Sequence, residues 1–319
     1  MKLEDAIKGF MISCAADGYS KSTTDLYGWA LRLMCSQIDK DAENINYTDL
    51  QKFFGWLKTE YTPKRTNGDK SPLTPRSIEN AWTAVRSFYN WASVELAIKE
   101  RPDTKLKRPE YTPTEIDPLD EDELRKLITA CERTTAASTT KRKAFTMRRP
   151  TGKRDLAIVL TLLDTGLRVS ELARLRVSDV DMDKGEVFVE PFGSGRKTKS
   201  RLVYIGKITK KALWRYLADR DYVPGDRLFV TEHDRPMDRT SIRVMLNALG
   251  KRASVPNVHP HRFRHTFAIQ YLPNGGDVFT LQRLLGHSSL DMVLHYLKLA
   301  DADSAAAHKR ASPADRWKL

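Results

Sequence analysis

The sequence predicts a mainly α-helical protein of two domains, the second of which carries a small antiparallel sheet. Three observations point there. Apolar residues recur at helical spacing behind capping residues through the first hundred positions, a proline-punctuated stretch then interrupts them, and two short runs near residues 185 and 201 alternate with a period of two. At 319 residues the chain is long enough for two domains that each bury a core.

Residues 3–14 form the first amphipathic stretch. Ser22, Thr23 and Thr24 offer an N-cap ahead of Leu26, Trp29, Leu31 and Met34, which recur at helical spacing. Thr48 is positioned to cap a third helix whose apolar face holds Phe53, Phe54, Trp56 and Leu57. Turn formers fill residues 62–72, after which Thr74 and Pro75 open a fourth helix, proline being favoured at the first helical position. Its apolar face carries Ile78, Trp82, Val85, Phe88, Tyr89 and Trp91, aromatics expected to pack a core rather than to stack on bases.

Four prolines fall within residues 100–118, with no periodicity, and mark an interdomain linker. The expected division is a helical domain over residues 1–105, a linker over 106–118 and a second domain over 119–319. Helix resumes where acids crowd the first turn after Asp120, which suits the helix dipole. Residues 133–154 read as a mobile loop, with seven basic residues between Lys141 and Arg154. Lys141, Arg142 and Lys143 are its candidates for contact with a polyanion backbone. An apolar helix over residues 155–164 stops at Gly166. Residues 185–190 and 201–205 alternate as two strands, Leu228, Phe229 and Val230 are a candidate third, and everything beyond reads as helical.

Composition narrows the function classes. Hydrophobic residues make up 40% of the chain, mean hydropathy is −0.51, and no apolar run approaches the ~20 residues of a membrane span. The first ten residues carry acids where a secretory signal needs an unbroken apolar region. The expectation is a cytoplasmic protein without membrane contact, on the nucleoid if it binds DNA. Cys14, Cys35 and Cys131 form no C-x-x-C pair, so three reduced core thiols are expected rather than disulfides or a zinc site. Residues 1–117 hold 17 basic and 17 acidic residues, so the entire net charge of +13 falls in residues 118–319. That asymmetry directs a polyanion to the second half.

The chemistry lies in short strings of that half. Thr165-Gly166-Leu167-Arg168-Val169-Ser170-Glu171 places an arginine at a fixed loop-to-helix junction. A basic turn holds Arg196, Lys197 and Lys199 just before the strand that opens at Arg201. His261-Arg262-Phe263-Arg264 is an H-x-x-R step with His259 and His265 beside it, and Gly286-His287 precedes Tyr296 by nine residues. Ser288 and Asp291 resemble a capping box for the tyrosine's helix. Two arginines, two histidines and a terminal tyrosine suit one task, which is to hold a phosphodiester and attack it with a phenol oxygen.

In content, order and spacing these residues resemble the tyrosine recombinase (phage integrase) family, from about residue 118 to the tyrosine, with a Xer-like or simple integrase architecture. The resemblance implies that the first domain is a SAM-like core-binding domain and that both domains close as a C-shaped clamp on DNA. It implies catalytic roles for Arg168, Lys197, His261, Arg264 and His287, with Tyr296 as nucleophile and Glu171 orienting Arg168. Arg168 and Arg264 would neutralise the non-bridging oxygens, and His261 would accept the phenolic proton or hydrogen-bond the phosphate. Lys197 fits the position that protonates the departing 5′ oxygen, with Lys199 and Arg196 as rivals that otherwise grip phosphate. His265 is expected to support the fold.

The implied reaction is site-specific recombination of double-stranded DNA through a 3′-phosphotyrosyl intermediate, resolved by the 5′ hydroxyl of a second duplex. It needs no metal or nucleotide cofactor, since the phosphotyrosyl bond keeps the phosphodiester energy. Relatives act as a tetramer on two sites, assembled from monomers or dimers and in some cases with accessory proteins, and they pass a C-terminal tail to a neighbouring protomer. Two rival readings share these residues: a type IB topoisomerase, whose larger clamp has no counterpart in this sequence, and a catalytically silent DNA-binding derivative, against which the filled key positions argue.

Overall fold

The computed structural model describes residues 1–65, 68–111, 116–135, 137–139, 142–191, 200–223, 225–287, 289–290, 293–294 and 296–297. Arg196, Lys197, Lys199, Lys141, Ser288, Asp291 and the tail after residue 297 lie outside the described residues. The chain divides into two compact units, Met1–Thr114 and Glu115–Leu319.

The first unit is built on α1 (Leu3–Ala16), α2 (Lys21–Gln37), α3 (Tyr47–Thr59) and α4 (Pro75–Glu95). Thr74 caps α4 by accepting from the Ser77 amide, with Pro75 at the first position as the sequence predicts. Two other caps move upstream. Ser20, not residues 22–24, accepts from the Thr23 amide at 3.2 Å. Asn46, not Thr48, caps α3 in a reciprocal box with Asp49, because an Asn–Asp pair three residues apart satisfies two orphan donors and a lone threonine satisfies one. Phe10, Leu31, Met34, Phe53, Phe88 and Tyr89 fill the core.

The start of the proline-rich stretch is held against α4. Trp82 Nε1 donates to the Leu106 carbonyl at 3.4 Å. Arg76 and Arg108 both pair with the buried carboxylate of Glu79, and Arg76 also donates to the Tyr111 hydroxyl at 2.7 Å.

The second unit begins with α5 (Glu121–Glu132), capped by Asp120 in a box with Glu123. The expected basic loop is instead an antiparallel hairpin of β1 (Ala137–Thr139) and β2 (Arg142–Phe145), so Arg142 and Lys143 sit on a strand. Its threonine-rich flank lacks apolar alternation and reads as loop, although small β-branched residues pair well in a ladder. Then follow α6 (Gly152–Thr165), the short α7 (Val169–Leu172), and a sheet of β3 (Val180–Asp181), β4 (Glu186–Val189) and β5 (Arg201–Tyr204) in the order β3-β4-β5, all antiparallel. Val187 faces Val203 in the core while the neighbouring pair, Phe188 and Leu202, is exposed. The expected third strand at Leu228, Phe229 and Val230 is not one. All three side chains are buried, and the segment's amides bond to the Leu175 carbonyl and the Tyr216 hydroxyl rather than to a ladder.

Helices α8 (Lys207–Leu217), α9 (Arg239–Ala253), α10 (Pro260–Tyr271) and α11 (Val278–Leu285) complete the unit. Its core gathers Ile158, Leu172, Val203, Leu213, Phe229, Leu246 and Phe263. Gly166 ends α6 at φ 60°, and a Cβ there would sit 2.5 Å from Phe267 Cδ1. That position therefore demands glycine twice, once for the left-handed backbone and once for the close approach of α10. Cys14 and Cys131 are buried and Cys35 is half-buried, all three as free thiols. No helix among the described residues is long and apolar enough to cross a membrane.

Candidate active site

Helix α11 ends at Gly286, in left-handed conformation at φ 65°, and leaves its last carbonyls without helical partners. Three arginines from three other elements supply them. Arg201, the first residue of β5, donates through Nε to the Leu284 carbonyl at 2.7 Å. Arg264 on α10 donates through Nη2 to the Leu285 carbonyl at 2.8 Å. Arg168, the residue before α7, reaches the Gly286 carbonyl at 3.4 Å. The negative end of the helix dipole thus faces three cations. A Cβ on Gly286 would meet the Arg201 guanidinium at 3.1 Å, so glycine here also makes room for that arginine.

Glu171 offsets part of this charge. Arg201 donates to both of its carboxylate oxygens, at 3.0 and 2.8 Å, a bidentate fork. Arg168 adds its Nη1 at 3.1 Å and its own amide at 2.8 Å. Burial alone would raise the Glu171 carboxyl, yet the Arg201 hydrogen bonds and charge hold it below its usual range. Glu171 therefore holds Arg168 by both side chain and amide, and grips Arg201 more closely still.

Arg264 is buried, and its Nη1 donates to the Gly166 carbonyl at 2.8 Å. Burial, and then the Arg168 charge, lower its guanidinium to about 10, which still leaves it charged at neutral pH. Its Nη2 also donates to His287 Nε2 at 2.7 Å. A guanidinium can only donate, so Nε2 is the acceptor and the neutral ring carries its proton on Nδ1. That Nδ1 is buried and meets no acceptor among the described residues. Burial, and then Arg264 and Arg168, push the His287 imidazole down to about 4, so the ring stays neutral. A buried N–H left over beside two guanidiniums is a place for an anionic oxygen.

The H-x-x-R-H string puts His261, Arg264 and His265 on one face of α10, at positions i, i+3 and i+4. Arg262 points away and is buried against Asp117 and Glu123, and His259 caps the helix by accepting from the Arg262 amide at 3.3 Å. Both are structural. His261 is exposed, and partial enclosure and then Arg264 lower its imidazole below the usual value. Its ring lies 6.3 Å from that of His265.

Tyr296 is 4% exposed and packs in a small cluster with Ala268, Leu272, Leu281, Leu285 and Val293. Its ring stacks on His287 at 6.4 Å, and its hydroxyl is 2.8 Å from His265 Nδ1. Burial raises its phenol, while the charges of Arg264 and Arg168 pull the other way. The structure thus brings together Arg168, Glu171, Arg264, His287 and Tyr296, with His261 on the same helix face as Arg264. Among the described residues no cluster of three or more His, Cys, Asp or Glu could hold a metal ion.

The profile of the Phage integrase family matches residues 118–303. The chain belongs to that family. It is 32% identical over 266 residues to the tyrosine recombinase XerC of Bacillus pumilus (strain SAFR-032), covering 80% of this chain and 81% of that relative. It is 29% identical to the tyrosine recombinase XerA of Saccharolobus solfataricus, covering 92% and 88%. The fold is shared with the Tn1549 transposon integrase in complex with transposon right end DNA, at TM-score 0.72 and 19% identity over 98% of this chain and 100% of that one. It is shared too with a lambda integrase dimer bound to a core site, at TM-score 0.67 and 18% identity over 92% and 97%.

Two site residues escape the sequence reading. Arg201 serves there only as a landmark, yet strand alternation puts it on the inward face with Val203 and Ile205, where a buried cation needs a carboxylate. His265 passes as a fold residue, although its helical spacing from His261 aligns it with the site.

Removing one partner of a buried ion pair leaves the other charge uncompensated. Glu171→Ala should therefore lower the stability of the second unit by about 3–5 kcal/mol in chemical denaturation. A loss near zero would mean that the α11 carbonyls alone hold the arginines. Acidification tests His287. Its folded pKa lies below its unfolded one, so its contribution is present above pH 6.5 and is lost as pH falls towards about 4. The loss is at most about 3.5 kcal/mol, at about 1.4 kcal/mol per unit. His259 and His261 act in the same direction. His287→Gln, which keeps an acceptor for Arg264, should flatten the fall in melting temperature over that range; an unchanged fall would contradict the burial argument.

Proposed function

We propose that this chain is a site-specific DNA recombinase that cleaves and rejoins strands through a 3′-phosphotyrosyl intermediate. The observation that carries this reading is the convergence, beside the ring of Tyr296, of Arg168, Arg264 and a His287 Nδ1–H that has no partner among the described residues. The relatives named tyrosine recombinases support it.

Tyr296 attacks the scissile phosphorus. As charge builds on the non-bridging oxygens, Arg168 and Arg264 donate to them from positions already fixed by main-chain carbonyls, so little reorganisation is required during the reaction. His287 donates through Nδ1. His261 accepts the phenolic proton or hydrogen-bonds the phosphate. The 5′ oxygen leaves with a proton from the basic turn, from Lys197 or its rival Lys199, and Arg196 grips the backbone nearby. Lys141, Arg142 and Lys143 contact phosphates on the flank. The 5′ hydroxyl of a partner duplex then attacks the phosphotyrosine and restores a phosphodiester.

The division into a core-binding domain (1–105), a linker (106–118) and a catalytic domain (119–319) fits this role. Assembly is a homo-tetramer on two sites, coupled through the tail after residue 301, with accessory proteins where the site requires them. The protein works in the cytoplasm on nucleoid DNA.

A nicked suicide duplex, selected from a random library by covalent capture, should yield a detergent-resistant protein–DNA adduct in the presence of EDTA. Tyr296→Phe should bind the same duplex and form none. An adduct that persists in this variant, or that maps to another tyrosine, would overturn the reading.

A further inference from the structure

The hydroxyl of Tyr296 is buried, and among the described residues its hydrogen-bond partner is His265 Nδ1, at 2.8 Å. A buried O–H with one partner directs its proton there, since leaving it unpaired would cost about 1–3 kcal/mol. The imidazole is then the tautomer with a lone pair on Nδ1 and a proton on Nε2. The rings lie 5.6 Å apart, and His265 sits one residue beyond Arg264 on α10, so one helix fixes both groups. Among the described residues the groups seen around the pair are cationic or neutral: Arg264 and Arg168 act on the phenol, the His287 ring stacks with it and His261 lies one turn back.

We infer that His265 is a catalytic residue, the proton acceptor for Tyr296, a role that the sequence leaves to His261. This rests on the recombinase reading above. The Tyr296 oxygen forms the bond to phosphorus while its proton passes to His265 Nδ1, giving an imidazolium. The bond from phosphorus to the 5′ oxygen breaks, and that oxygen takes a proton from the basic turn. In the return step the imidazolium gives the proton back to the departing phenolate. Arg264 and Arg168 favour the phenolate as it forms.

The test uses the full chain and the captured suicide duplex, with adduct formation at Tyr296 in the parent as the separate check on the underlying reading. Asn at 265 places an amide where Nδ1 stands, so His265→Asn keeps a hydrogen bond but takes no proton. With binding equal to the parent's, it should cleave slower by about 10²–10⁴, the range of general acid–base catalysis. Replacing Tyr296 by 3,5-difluorotyrosine, a stronger acid, should recover most of that loss in the variant while changing the parent little. A residue that only supports the fold would show no such rescue. Melting curves identify misfolded protein, and His265→Ala, which removes the proton acceptor altogether, takes the place of the Asn variant if that one does not fold. The inference is overturned, with the recombinase reading intact, if His265→Asn cleaves like the parent, if the fluorinated tyrosine gives no rescue, or if it rescues His261→Asn instead.

Discussion

The last turn of α11 is the constraint on which the site depends. Leu284, Leu285 and Gly286 offer carbonyls that no further helical turn consumes, and Arg201, Arg264 and Arg168 each take one. Three guanidiniums so close would repel one another strongly in a dry interior. The negative helix end and the Glu171 carboxylate make the cluster tenable. Without them a chain with Arg264 buried would not fold around it. The α6 terminus contributes as well, since the Gly166 carbonyl accepts from Arg264 and its left-handed turn lets α10 approach.

The same contacts that make the arginines affordable also aim them. Arg264 and Arg168 lose side-chain freedom when the domain folds, not when substrate arrives. His287 follows directly from the αL turn at Gly286, and its bond from Arg264 fixes the tautomer that presents Nδ1–H. Glu171 thus holds Arg168 in position, with Arg201 as the anchor that keeps the carboxylate ionised and in place.

Much of this was legible in the sequence because the key residues lie in short strings governed by local rules. Gly166 and Gly286 announce helix ends, H-x-x-R sets a helix face, and the nine residues from His287 to Tyr296 set a reach. The two-strand alternation was readable for the same reason. Contacts between distant segments were not. Arg201 meets Glu171 across thirty residues, and His265 meets Tyr296 across thirty-one, so only the folded packing reveals either pair. The hairpin of β1 and β2 and the buried run at Leu228 also defied period counting, the first for lack of apolar residues and the second because all three of its side chains are interior.

The central claim is that two pre-anchored guanidiniums offset charge on the non-bridging oxygens during attack. Replacing one non-bridging oxygen of the scissile phosphate by methyl removes the negative charge while leaving the phosphorus open to attack. The cleavage rates of the parent and of Arg168→Ala, compared on the phosphate and the methylphosphonate duplexes, address the claim directly. The account predicts a large loss for Arg168→Ala on the phosphate, on the order of 10²–10³ as for other donors to a developing oxyanion, and a much smaller loss on the methylphosphonate. An equal loss on both duplexes would show that Arg168 holds the fold or the DNA rather than the charge of the transition state.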